Sequence, residues 1–451
     1  MNHLVGRFFG KIDQTHDRGY AIFNEVGGML RREQWLQVEN TDVLLRPLFH
    51  TAEDLKRLEE DIVHLFQLMF HIPDRLFEGD VSKMCDLLGL NSLQKKVVES
   101  TWVHQEVLIG RADLYKDKSG SFKLLEFNVH SSTGGLENAE FNRVLLHHPF
   151  FRDFVNEESL SFIDSVDGVA EALWDASIKR GLGNRPKVAI VDWPSTYPAM
   201  VKKMDRFAGL LRKRGFDAFS CHLGELDYRD GVLYADSTPV DILYRTFVID
   251  EITETPSLLK PVLEAVRDDR VLLVMSFVAE LVGNKGVLAF LSDPRYQKSF
   301  NDDERRLIDR FVPWTRFVQP GMTDWNGEQM DITEILLEQQ SEMVLKPVCG
   351  FGGMGVQLGW CLSPDEWKEL VERILNGKTL YVMQKRVHPE LEPMLFLTSQ
   401  GIQEHKVMIN WGVFTANGRY NGSFARGTIS EGDAVVNVSR GAATGCVFHQ
   451  N

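Results

Sequence analysis

A strand that ends in lysine and proline and runs straight into a glycine loop constrains this chain more than any other feature. Met343-Val344-Leu345-Lys346-Pro347-Val348 has the apolar character of a buried strand, and Gly350, Gly352, Gly353 and Gly355 follow at once. Glycine admits positive φ and close backbone approach. Successive N–H groups in such a loop can wrap phosphate oxygens. Lys346, at the strand end, is placed to meet a phosphate as a point charge. A solvated surface loop would also be glycine-rich, but the lysine-bearing strand before it favours phosphate binding. The spacing is neither GxxxxGK[ST] nor a GxGxxG heading a strand–helix unit, which counts against a P-loop hydrolase and a dinucleotide enzyme.

A second constellation lies upstream. VLIGRADLY and FKLLEFNV flank KDKSGS, a charged turn containing glycine, and together they predict a hairpin over about 104–129. The two-residue period of a strand puts Arg111 and Asp113 on one face, and Glu126 and Asn128 on one face. If those faces coincide, two carboxylates and an amide oxygen converge beside an arginine. Such hard oxygen donors suit Mg²⁺. A solvated polar face of an edge hairpin would use the same residues, although Leu124, Leu125 and Phe127 argue for a half-buried strand, where a charge needs a reason.

Two weaker features complete the set. Gly283-Asn284-Lys285-Gly286 precedes an apolar helical stretch and could bring Lys285 to a nucleotide, or could be a plain solvated turn. Near the C-terminus, small residues surround Arg440 between Asn437 and Gly445, which suits close approach to an anion or a tight turn. Other candidates fail. His147-His148-Pro149 has no matching acid for a metal site. Cys349 has no histidine to activate it and reads as packing. Gly-x-Ser-x-Gly does not occur.

Between about 186 and 275, KVAIVDW, FDAFSC, VDILYRTFV and VLLVMSF alternate with helical stretches near 199–214 and 257–267. This pattern predicts a parallel sheet with crossover helices. Residues 51–70 predict an amphipathic helix capped by Thr51, Ser363-Pro364-Asp365-Glu366 a capping-box helix start, and Asn417-Gly418 a hairpin turn.

Composition removes several classes. With 50 Lys+Arg against 64 Asp+Glu the net charge is −14, so a general nucleic-acid binder is disfavoured. Five cysteines without a CxxC pair exclude a zinc ribbon or disulfide framework. With no apolar membrane-length run and no signal-peptide pattern, a soluble cytoplasmic enzyme with no membrane partner is expected.

Taken together, these residues resemble the circularly permuted ATP-grasp ligases, the family that contains glutathionylspermidine synthase. Arg111-x-Asp113 and Glu126-x-Asn128 are similar to the family's R-x-D and E-x-N segments, which bind acyl phosphate and Mg²⁺. Asn284-Lys285 resembles its Asn-Lys before a helix, and Lys346-Pro347 with Gly350 to Gly355 its Lys-Pro strand and glycine loop. Gln384, in Tyr381-Val382-Met383-Gln384, resembles the glutamine that meets the adenine edge. The hairpin preceding the glycine loop matches the permuted order. The amidase region of the bifunctional members has no counterpart.

The resemblance implies an α/β (α+β) fold, an ATP-grasp with circularly permuted domain order plus a Rossmann-like α/β domain. The division would be 1–180 with the metal-binding hairpin, 181–280 as substrate domain, and 281–451 with the glycine loop. It implies a cytoplasmic ligase using ATP and Mg²⁺. The metal would sit on Asp113, Glu126 and Asn128. The nucleotide would be held by Lys285, Lys346, the loop and Gln384, with Arg111, Lys346 and Arg440 acting in catalysis. The reaction would join an amino acid or small carboxylic acid, through an acyl phosphate, to an amine or a carrier-protein thiol, as in antibiotic or peptide biosynthesis. Lys202-Lys203 with Arg212-Lys213-Arg214 would be a basic patch for an acidic carrier, or a solvated helix. Two rivals are a non-catalytic nucleotide-binding protein of the same fold and a dinucleotide oxidoreductase. The second should show a glycine turn after KVAIVDW, where WPSTYPAM stands instead.

Overall fold

A computed structural model of the chain describes residues 3–15, 19–32, 43–102, 107–129, 134–350, 352–398, 401–429, 436 and 441–450. Three hydrophobic cores organise them.

The largest sheet orders its strands Leu391–Thr398, Val43–His50, Ala443–Gln450, Arg419–Thr428, Gly401–Ala416, Ile109–Lys116 and Phe122–Asn128. Strand Leu391–Thr398 also pairs with the first half of Gly401–Ala416, so five strands close on themselves and the 109–128 hairpin continues from the long strand. Strands from both ends of the chain therefore share one sheet. The hairpin turns at Asp117 to Ser121, where Asp117 accepts from the Ser119 and Ser121 amides (2.8 and 3.1 Å). The downstream hairpin turns at Asn417-Gly418, both with positive φ (43° and 74°).

Alternation decides which face of the hairpin is buried. Gly110, Ala112, Leu114 and Phe127 point into the core against the helical run of residues 52–70. Phe66 stacks on Phe127 at 4.8 Å and 12°. A Cβ on Gly110 would stand 2.8 Å from both rings, so only glycine lets them close over the strand. The 52–70 helix is capped by Thr51 with a reciprocal Asp54 contact and carries a π turn over Leu58–Ile62. The opposite face of the hairpin, with Arg111, Asp113, Glu126 and Asn128, is left for polar partners.

Residues 187–274 form the parallel sheet, in the order Leu272–Val274, Ile242–Arg245, Lys187–Asp192 and Asp217–His222, with every pairing parallel. The crossover helices are Tyr197–Arg212 and Lys260–Arg267. Its strands at 187–192, 242–245 and 272–274 are buried on both faces and read as continuous apolar runs, while the edge strand Asp217–His222 is only partly buried.

A smaller layer packs Thr315–Phe317, Tyr381–Lys385, Met343–Pro347 and Gln357–Leu358 against helices Ile332–Glu338 and Pro364–Leu375. Its core gathers Met343, Leu345, Trp367 and Met383. Ser363 and Glu366 form the expected capping box. A third core of Phe8, Phe23, Phe49, Phe151 and Phe154 ties the N-terminal helices to the large sheet. No helix among the described residues is long and apolar enough to cross a membrane.

Candidate active site

The hairpin register puts Arg111 opposite Asn128 and Asp113 opposite Glu126. The two polar faces therefore coincide. Three further segments bring cations to this face.

Asp113 is 2% exposed and lies between two guanidinium groups. Arg111 grips it bidentately (2.7 and 3.0 Å). Arg426, from the strand two places along the sheet, reaches the same carboxylate at 2.7 Å. Gly412 lies between these strands, opposite both Asp113 and Phe424. With no side chain there, Phe424 lies under both arginines, at 5.3 Å from Arg111 and 5.2 Å from Arg426. Burial opposes ionisation of Asp113, but Arg111 and Arg426 override it and hold the carboxyl well below the ordinary carboxylate range.

Asp113, expected as a Mg²⁺ ligand, meets two arginines and Asn128 Nδ2 (3.1 Å), and Glu126 and Asn128 share its face.

Lys285 and Lys346 approach Glu126 from other segments. Lys285 Nζ lies 3.4 Å from Glu126 Oε2 and donates to the Gly350 carbonyl at 2.7 Å, joining the Asn284-Lys285 turn to the start of the glycine loop. Lys346 Nζ donates to the Leu125 carbonyl (2.9 Å) and to Gln384 Oε1 (2.7 Å). Burial pushes Lys346 down to about 8, with Glu126 pulling the other way. Burial also opposes ionisation of Glu126, yet Lys285, Lys346 and Arg111 hold it below its ordinary value. Counting formally, Arg111, Arg426, Lys285 and Lys346 face Asp113 and Glu126. The positive excess suits a polyphosphate or an acyl phosphate.

The glycine loop has the backbone its composition demands. Gly350, Gly352, Gly353 and Gly355 all have positive φ (142°, 63°, 74° and 72°). A Cβ on Gly355 would also meet the Pro347 ring at 2.9 Å.

Beside Lys346 a cavity of about 640 Å³ is walled by Tyr115, Val344, Val356, Trp360 and Met408, and by Gln384 to Val387 where strand Tyr381–Lys385 ends, the segment called the hinge below. Its lining is mostly apolar. Gln384 lies in its wall, but the side-chain amide is engaged by Lys346 and by Thr315 Oγ1 (3.2 Å). Gln384 thus orients the lysine rather than presenting a free amide edge.

Arg440 lies outside the described residues. Arg426 and Gly412 escaped the sequence reading. The available signal was the period of two along Phe424-Ala425-Arg426 after the Asn417-Gly418 turn. Among the described residues no group of three or more His, Cys, Asp or Glu could hold a metal. His148 caps the helix it precedes, accepting from the Phe150 amide at 3.3 Å. Cys349, expected to pack, stands exposed beside the glycine loop and accepts from Asn284 Nδ2 at 3.4 Å. In the basic stretch, Arg214 pairs with Asp164 and Asp167, and Arg212 donates to the Ala218 carbonyl.

No protein-family model matches the sequence, and no curated protein sequence does. The structure, however, superposes on a solved one, a glutathione synthetase-like effector from Globodera pallida in its apo form. The TM-score is 0.57 over 90% of each chain, at 13% sequence identity. The chain shares the overall α+β fold of that protein.

Proposed function

We propose that this protein is an ATP-dependent carboxylate ligase with the permuted ATP-grasp order. One observation carries the reading: Lys285, Lys346, Glu126 and Asn128, drawn from three distant segments, meet beside a glycine loop and an apolar cavity.

The purine of ATP occupies the cavity against the hinge, and its phosphates extend toward Lys346, Lys285 and the glycine loop. A carboxylate oxygen of the acid substrate attacks the γ-phosphorus. The bond from that phosphorus to the bridging oxygen breaks, and ADP leaves. An amine then attacks the acyl carbon of the acyl phosphate, inorganic phosphate departs, and the amine releases its proton to water. Positioning and charge neutralisation dominate such chemistry. Arg111 and Arg426, fixed by Asp113, stabilise the developing negative charge on the acyl-phosphate and tetrahedral oxygens. Lys285 and Lys346 neutralise the phosphates.

Glu126 and Asn128 fit Mg²⁺, since they offer hard oxygen donors on one strand face and leave other positions to phosphate and water. Bound there, Mg²⁺ supplies further neutralisation of phosphate charge. The parallel-sheet region, roughly 181–280, serves as the substrate domain. An amine is favoured over a carrier-protein thiol as acceptor, because Arg212 and Arg214 are committed within the fold and leave little of the basic patch for an acidic carrier.

The test is ADP release from Mg-ATP across a panel of amino acids and small carboxylic acids, each with and without amines, hydroxylamine or a phosphopantetheinyl carrier. Acid-dependent ADP release that Lys346→Ala removes is the expected result. ADP formation that survives Lys346→Ala would overturn the reading.

A further inference from the structure

The hinge has a second side. Behind Lys385 to Val387, away from the apolar cavity, lies an open groove of about 850 Å³ whose walls include Lys118, Lys123, Trp314, Lys385, Arg386 and His388. The hinge strand thus separates two concavities, one apolar and one strongly charged.

Of the groove's basic side chains only His388 meets a carboxylate, at 3.1 Å from Glu342. Lys123 donates to the Arg310 carbonyl at 2.6 Å. Lys385 lies over the Trp325 ring at 5.0 Å, and Arg386 over the Trp360 ring at 3.7 Å. Lys118 has no carboxylate within ion-pairing distance among the described residues. Two acids share the groove. Asp117 spends its charge on the Ser119 and Ser121 amides and the Ser119 hydroxyl. Asp309 stands exposed at the rim. Four cations thus line one concavity without an ion-pair partner among the described residues: Lys118 from the hairpin turn, Lys123 from the strand after it, and Lys385 and Arg386 from the hinge. Lys118 has no role in holding its turn, since the turn is held by Asp117.

We propose that this groove is a binding site for a phosphate-bearing ligand, separate from the nucleotide cavity and sharing its hinge wall. Several phosphate groups, as in a polyphosphate or a nucleoside triphosphate, match several lysines within one groove. Ammonium groups bind phosphate as point charges without demanding fixed geometry. The inference goes beyond the ligase reading and stands or falls separately from it.

Calorimetry on the full chain carrying Lys346→Ala, with inorganic tripolyphosphate as probe, tests it, because that variant removes the phosphate lysine of the nucleotide site. Saturable binding is expected, weakened about tenfold when Lys118→Ala and Lys123→Ala are added, since each removes one charge contact. Both side chains lie outside the ligase machinery, and an unchanged melting temperature confirms the fold. ATP binding with the same dependence on Lys118 and Lys123 would identify a nucleotide as the source of the phosphates. Tripolyphosphate binding in its place would identify free polyphosphate. Tripolyphosphate binding that Lys346→Ala abolishes, or that ignores Lys118 and Lys123, overturns the proposal. So does a polyglutamate peptide that binds through these lysines where tripolyphosphate does not. If wild-type ADP release fails while groove binding persists, the ligase reading falls and the groove stands.

Discussion

Lys346 Nζ lies 2.7 Å from Gln384 Oε1, buried between the strand that leads into the glycine loop and the strand that becomes the hinge. In the proposed nucleotide pose, the contact would join the phosphate end of the cavity to its purine end. Gln384 is held in turn by Thr315, so the lysine head is fixed from two sides. A preorganised charge of this kind loses little on ligand binding.

Lys346→Ala should therefore reduce kcat for ADP formation by about 100-fold or more, with the thermal midpoint nearly unchanged. The residue makes no direct ion pair, so its loss strands no carboxylate. Gln384→Ala should raise KM for ATP more than it lowers kcat, because it loosens the lysine without removing it. Steady-state kinetics on both variants check this.

Burial lowers Lys346 to about 8, so the ammonium is lost as pH rises through that value. ATP affinity should weaken above pH 8, and binding there should take up a proton. The sign for stability is opposite to that of a paired lysine. Between about 8 and the ordinary value of 10.5 the unfolded chain binds more protons, so this group makes stability rise with pH across that window. Calorimetry in buffers of different ionisation enthalpy reads the proton uptake directly.

Asp113→Asn should cost about 3–5 kcal/mol of stability, because it leaves Arg111 and Arg426 buried without a counter-charge. Asp113 ionises below the ordinary carboxylate range. Its contribution is present above the unfolded value and is lost only as pH falls through the depressed folded value. Glu126→Gln should instead leave stability nearly intact and raise the Mg²⁺ concentration needed for half-maximal ADP release. Urea titration and a metal titration separate the two carboxylates.

Gly412→Ala should destabilise by about 1–3 kcal/mol and raise KM for the acid substrate. Its Cβ would fall 2.2 Å from Phe424 Cε1 and 3.1 Å from Arg111 Cδ. Phe424 would have to move, and both arginines rest on it. A wild-type melting temperature together with wild-type KM would show that the ring gives way freely and that its packing does not set the arginines.

Local spacing in the sequence determined a good deal about this protein. The period of two placed Arg111 with Asp113 and Glu126 with Asn128, and the turn between them brought those faces together. Ser363 with Glu366 marked a helix start, and Asn417-Gly418 a hairpin, because caps and turns act over a few residues. The glycine positions announced positive φ. The parallel sheet showed itself as buried apolar runs separated by helices.

Only the tertiary structure decided which charge neutralises which. Arg426 reaches Asp113 because the 419–428 strand lies two places from the hairpin and because Gly412 leaves room between them. Nothing in the spacing of Arg111 and Asp113 signals that partner, which puts the carboxylate between two arginines. Lys285 likewise meets Glu126 and the Gly350 carbonyl only after three distant segments have packed. Periodicity is written residue by residue, whereas strand order arises from the chain's competition to bury its apolar faces, and the electrostatics of the site follow from strand order.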